Sequence, residues 1–156
     1  MERREFIALL GGAAALMPVQ TTGAAARPAQ SVADKLVGSW SFVSSVNTRN
    51  DGTLVDRWGP STRGILMFDG SGHFSQIITG SESRMFGAKT YCAFGEYEYD
   101  AASKNLSLRF SGCSIAKAIG SVQERKVLQL TADELKYVNP LTASGTVAEV
   151  SWKRLV

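Results

Sequence analysis

The sequence predicts an all-β fold: an eight-stranded antiparallel barrel, with a short helical turn ahead of the first strand. Three observations predict it. Eight short stretches rich in apolar and β-branched residues follow one another, each bounded by Gly, Pro, Asn or Asp turn signals, with no long amphipathic helix between them. The first stretch, opening at Trp40, and the last, Val147 to Leu155 with Trp152 inside it, suit one another as partners, and pairing them closes the sheet so that no edge stays exposed. The hairpin around Ala102-Ser103 also gives a self-consistent register. A two-sheet sandwich is the competing layout for the same strands.

The chain has 156 residues and opens with a segment that reads as removable. Arg3-Arg4 precede Phe6, an apolar run from Ile7 to Met17 follows, and Ala24 and Ala26 stand in the A-x-A relation of a cleavage site. The run is too short to span a bilayer. The arginine pair and the weakly hydrophobic, glycine-containing core resemble a twin-arginine export signal, while an ordinary secretory signal shares the basic start. No cysteine lies near the cleavage point, which argues against a lipid anchor. The expected organisation is an export signal over 1–26, a linker and helical turn over 27–35, and one barrel domain over 36–156, in a periplasmic or secreted protein. Hydrophobic content of 44% against 20% charged residues marks a chain that folds rather than one that stays disordered. A formal charge of +3 with no Lys/Arg block gives no footprint for nucleic acid, and the sequence calls for no cofactor and no stable membrane anchor.

The elements follow in order. Ser31 can cap a helical turn that Gly38 ends, with Asp34 near its positive end. Trp40 to Arg49 reads as the first strand, and Asn50-Asp51-Gly52-Thr53 as its turn. Leu54 to Thr62 lacks strand alternation and contains the Gly59-Pro60 turn signal. Strands are then expected at Arg63–Phe68 and His73–Thr79, joined by Asp69-Gly70-Ser71-Gly72. A long polar loop covers Gly80 to Thr90. Further strands are expected at Ala93–Tyr99, Asn105–Phe110, Val122–Leu130, Glu134–Asn139 and Val147–Leu155, with a possible helical turn at Ile115–Ile119.

The hairpin centred on Ala102-Ser103 can be tested against itself. With Asp100 opposite Asn105, Tyr99 faces Leu106, Tyr97 faces Leu108 and Gly95 faces Phe110, which makes one apolar face. Glu96 then meets Arg109 on the other face. The same register carries Cys92 opposite Cys113, at a spacing a disulfide can bridge, and an exported protein meets oxidising conditions. The alternative is two free thiols. A zinc site has little to draw on, because His73 is the single histidine.

Several of these stretches together resemble the bacterial lipocalin-like domain family. They are Leu36-Val37-Gly38-Ser39-Trp40, Trp58 to Phe68, Gly70 to Ser75, Phe94-Gly95-Glu96-Tyr97, Glu134 to Tyr137 with Pro140, and the closing Trp152-Lys153-Arg154. The likeness runs through nearly the whole chain after the leader. It implies a lipocalin-like barrel that binds a small hydrophobic molecule, with Gly38, Trp40, Trp152 and Arg154 in structural roles and the late basic residue lying over Trp40. It carries over no catalytic residues. The Gly80–Thr90 loop and the Ser111–Gly120 stretch look individual to this chain.

For a ligand, the aromatic residues Trp58, Phe68, Phe74, Tyr97, Tyr99 and Phe110 are the candidate lining, though each equally suits plain core in a small barrel. Trp58-Gly59-Pro60 is placed to cover a mouth, and the Gly80–Thr90 loop to move. Glu96 and Glu98 alternate with the tyrosines and are expected to face solvent, which argues against a paired-carboxylate glycosidase. His73, at a hairpin, is most simply a solvated turn residue. No nucleophile elbow, phosphate loop or dinucleotide fingerprint occurs. Three functions stay open: a carrier or sequestering protein for a small apolar ligand; a small barrel enzyme of isomerase or cyclase type using His73, Arg109 or Arg125; and a filled barrel that binds another protein through its surface.

Overall fold

The structure, a computed structural model, describes residues 33–80 and 90–155. The expected leader, most of the linker and positions 81–89 of the long loop lie outside the described residues. Among the described residues there are nine strands: β1 (Gly38–Thr48), β2 (Leu54–Val55), β3 (Arg63–Phe68), β4 (His73–Thr79), β5 (Thr90–Asp100), β6 (Asn105–Cys113), β7 (Val122–Leu130), β8 (Glu134–Asn139) and β9 (Val147–Arg154). They pair antiparallel in the order β2-β1-β3-β4-β5-β6-β7-β8-β9, and β1 pairs with β9 as well. The result is a closed up-and-down barrel of eight strands. Closure excludes the sandwich. The two-residue β2, which the sequence reading had as irregular, adds to β1 at Asn47 and Thr48. A single turn of 3-10 helix, Ala116–Ala118, lies between β6 and β7.

One end of the barrel is shut by the residues around the first strand. Residues 33–36 form a turn in which the Leu36 amide donates to the Ala33 carbonyl at 3.0 Å; the rest of the expected helical turn lies outside the described residues. Trp40, fully buried, donates its indole N–H to the Leu36 carbonyl at 2.9 Å. Trp40 pairs with Arg154 across β1 and β9, and the Arg154 guanidinium lies 4.1 Å from the centre of the Trp40 ring. The same guanidinium donates to the Val37 carbonyl at 2.9 Å and to those of Lys35 and Ala132. Gly38 stands at φ +133°, a backbone conformation that favours glycine, and a Cβ there would displace the Arg154 guanidinium from its place. Leu66, Phe68, Phe74, Leu106, Leu108 and Phe110 fill the barrel above this plug. Their rings meet edge to face: Phe74 with Phe110 at 5.6 Å, Phe68 with Tyr97 at 4.8 Å, and Phe42 with Trp152 at 5.5 Å between centroids.

Three bulges reset the in–out alternation. On β1 the register steps between Phe42 and Ser44, leaving Val43 extra; on β6 Ser111 is extra; on β7 Leu128 is extra. An odd insertion moves every later side chain to the other face. On β5–β6 the pairs nearest the turn are Tyr99–Leu106, Tyr97–Leu108, Glu96–Arg109 and Gly95–Phe110. Beyond Ser111, however, Phe94 faces Gly112 and Ala93 faces Cys113. This corrects the expected disulfide. Cys92 is exposed on the outer face, Cys113 packs against the core, and both thiols are free. One residue of slip has put the two side chains on opposite sides of the barrel wall.

Candidate ligand-binding site

At the opposite end from the Trp40 plug the interior is not filled. A cavity of about 100 Å³ lies there. It begins where the phase changes on β1. Because Val43 is extra, Ser45 and Asn47 point inward and Val46 points out, the reverse of what strict alternation from Trp40 and Phe42 would give. Asn47 is almost fully buried; its amide donates to Ser45 Oγ at 3.1 Å, and its carbonyl accepts from Thr146 Oγ1 at 3.4 Å. On the facing strands Gln76 of β4, Tyr91 of β5, Gln123 and Arg125 of β7, and Tyr137 and Asn139 of β8 line the same space.

The apolar part of the lining comes from Trp58, Ile78, Ile115, Ala118, Ala148 and Val150. Trp58 is placed by local hydrogen bonding. Asp56 Oδ1 accepts from the Trp58 amide at 3.0 Å and the Gly59 amide at 2.9 Å, and Thr62 Oγ1 donates to the Gly59 carbonyl at 2.7 Å. This Asx-type turn aims Arg57 and Trp58 at the cavity. The end of β4 lies directly against it. A Cβ on Gly80 would collide with the Trp58 backbone, so only glycine lets the two chains approach this closely.

The polar groups form a connected cluster. Arg125 is 6% exposed. It donates to Asn139 Oδ1 at 3.1 Å, to Gln123 Oε1 at 2.8 Å and to the Glu124 carbonyl at 3.0 Å. Burial pulls its pKa below the ordinary arginine value, with the Tyr137 and Tyr91 phenols acting the other way; it remains a cation. Burial drives the Tyr137 phenol above the usual tyrosine range, and the adjacent Arg125 only partly offsets this. Burial does the same to Tyr91, with Cys113 adding to the effect. Both phenols therefore keep their protons at neutral pH, and the Tyr137 oxygen accepts from the side chains of Arg125 and Gln76.

Of the aromatic residues expected to meet a ligand, Trp58 alone borders this cavity; Phe68, Phe74, Phe110, Tyr97 and Tyr99 pack outside it. Of the three residues considered for an enzyme, Arg125 lines the cavity. Arg109 is exposed and faces Glu96 on the outer surface, and His73 sits at its turn with Nδ1 3.2 Å from Asp69 Oδ2, both side chains solvent-exposed. Asn47, Gln76, Tyr91, Gln123 and Tyr137 were missed by sequence reasoning. For Gln123 a signal existed, since it shares the phase of Val127, whose side chain is buried.

No family model matches the chain, and no curated protein matches it. Among solved structures it is similar to a redesigned beta barrel, at 12% identity over 80% of this chain and 96% of that one, TM-score 0.49. It is also similar to a lipocalin-like protein from Bacteroides uniformis, at 18% identity over 78% and 99%, TM-score 0.46. A third is the bovine odorant binding protein in complex with a selenium-containing odorant, at 16% identity over 84% and 76%, TM-score 0.47.

Proposed function

We propose that this protein binds one small molecule inside the barrel, at the end opposite Trp40, in a carrier or sequestering role, and that the chain is exported to the periplasm or beyond by its twin-arginine-like leader. The observation that carries the reading is the unfilled cavity itself. An eight-stranded barrel can be packed solid by its own side chains. This one packs solid at one end and leaves about 100 Å³ at the other, bounded by an indole and aliphatic groups on one side and hydrogen-bonding groups on the other. Concave, partly apolar and furnished with a few convergent polar groups, it has the make-up of a small-molecule site. Binding without turnover is the simpler reading, because the described lining offers no carboxylate, histidine or cysteine to move a proton or attack a bond.

Titration of the purified protein with a panel of small apolar and amphipathic molecules tests this, followed by calorimetry and by tryptophan fluorescence. Saturable binding with a dissociation constant on the order of micromolar is expected. The optical change should vanish in Trp58→Phe while calorimetric binding persists, since Trp40 and Trp152 are buried in packed surroundings. No saturable uptake by either method from the whole panel would overturn the reading.

A further inference from the structure

We propose that the molecule held in this cavity is a small organic carboxylate, its anionic group at Arg125 and its apolar body against Trp58 and the aliphatic wall. This rests on the reading of the cavity as a ligand site and specifies the ligand's chemistry. The first observation is charge. Two arginines, Arg57 and Arg125, border the cavity, and its described lining contains no Asp or Glu. The second is the state of those arginines. The acceptors that Arg125 reaches are uncharged: an Asn, a Gln, a backbone carbonyl and the Tyr137 phenol. The adjacent acid, Glu124, is exposed on the outer face, where its carboxylate accepts from Ser107 Oγ at 2.8 Å and from Asn105. Arg57 Nε is buried without a hydrogen-bond partner.

A buried cation is costly unless a counter-charge meets it, and this barrel holds one deep inside with no carboxylate in the described lining of its cavity, Glu124 acting on it only from the outer face. An incoming anion supplies what the chain leaves out. The uncharged Tyr91 and Tyr137 phenols line the same space and place no negative charge against an incoming anion. A guanidinium is a flat fork of N–H groups that matches a carboxylate through two parallel hydrogen bonds. The rest of the lining selects against a bare inorganic ion. Trp58, Ile78, Ile115, Ala148 and Val150 would be left facing water by one, whereas an apolar body covers them. The volume bounds that body. About 100 Å³ is well below drug-sized pockets and nearer the size class of cavities that admit one benzene ring.

The test is calorimetric titration of the full protein with benzoate, with its uncharged isostere benzamide, and with inorganic phosphate, on wild type, Arg125→Gln, Arg125→Lys and Arg57→Gln. Benzoate should bind roughly ten- to a hundredfold tighter than benzamide, the range expected for charge-assisted hydrogen bonds. R125Q should erase that preference and R125K should keep part of it. Phosphate should not displace benzoate. If R125Q does not fold, the benzoate-to-benzamide ratio in wild type and in R57Q still decides. Benzamide binding as tightly as benzoate would overturn the proposal while leaving the ligand-binding reading intact. Phosphate competing as well as benzoate would overturn the organic part. Binding of neither aromatic while a neutral apolar molecule enters would overturn the proposal alone, and no uptake of anything would overturn both it and the proposed function.

Discussion

Arg154 at the shut end of the barrel and Arg125 at the cavity end are both drawn from strands, and their surroundings differ in a telling way. Arg154 lies on the Trp40 ring and donates to three backbone carbonyls, of Lys35, Val37 and Ala132. These carbonyls belong to the turn before β1 and the turn before β8, so one side chain ties three parts of the chain together while staying partly in reach of water. Arg125 is buried among side-chain amides and phenols and ties nothing across the closure. The first arginine acts on folding. The second holds its charge where folding alone gives no reason for one.

This contrast can be broken at three points. The largest effect belongs to Trp40. Trp40→Ala removes the plug and the platform under Arg154, and it should cost roughly 3–5 kcal/mol in urea unfolding; an unchanged midpoint would deny the shut end its organising role. Next comes Arg154→Met, which keeps much of the volume and loses the cation–π contact and the carbonyl hydrogen bonds. A loss of about 2 kcal/mol is expected by the same measurement. The smallest effect, and of opposite sign, belongs to Arg125→Met. Replacing a buried charge that lacks a counter-ion with an apolar side chain should raise stability by about 1 kcal/mol in the absence of ligand. If the two methionine variants lose stability equally, both arginines are structural and the contrast fails.

Much of the fold was legible in the sequence because its signals are local. Asp69-Gly70-Ser71-Gly72 and the turn at Ala102-Ser103 set their hairpins, and the register nearest the second turn could be worked out pair by pair, Tyr99–Leu106 to Gly95–Phe110. Trp40 and Trp152 marked the strands that close the barrel, which pair through Phe42–Trp152 and Trp40–Arg154. The site was much less legible, for two physical reasons. A bulge leaves little trace in sequence, so the step at Ser111 that separates Cys92 from Cys113, and the step at Val43 that turns Asn47 inward, were invisible. The usual expectation of apolar side chains inside and polar ones outside also misleads where a barrel keeps a polar interior. Gln76 and Gln123 give no signal under that expectation, Arg125 enters only as a candidate for an enzyme, and aromatic residues such as Phe74 and Phe110 draw attention although they satisfy one another edge to face.

The bulge at Val43 has an evolutionary consequence. Trp40 and Phe42 precede it on β1 and serve the plug; Ser45 and Asn47 follow it and serve the cavity. Without that one codon Ser44 would follow Phe42 directly, opposite the consecutive Ser151 and Trp152, so Ser45 and Asn47 would still face inward, and the four residues from Gly38 to Ser41 that pair with β3 would stay where they are. The strand therefore tolerates a change of length at this point: one residue can be gained or lost there while the plug at one end and the cavity lining at the other keep their faces.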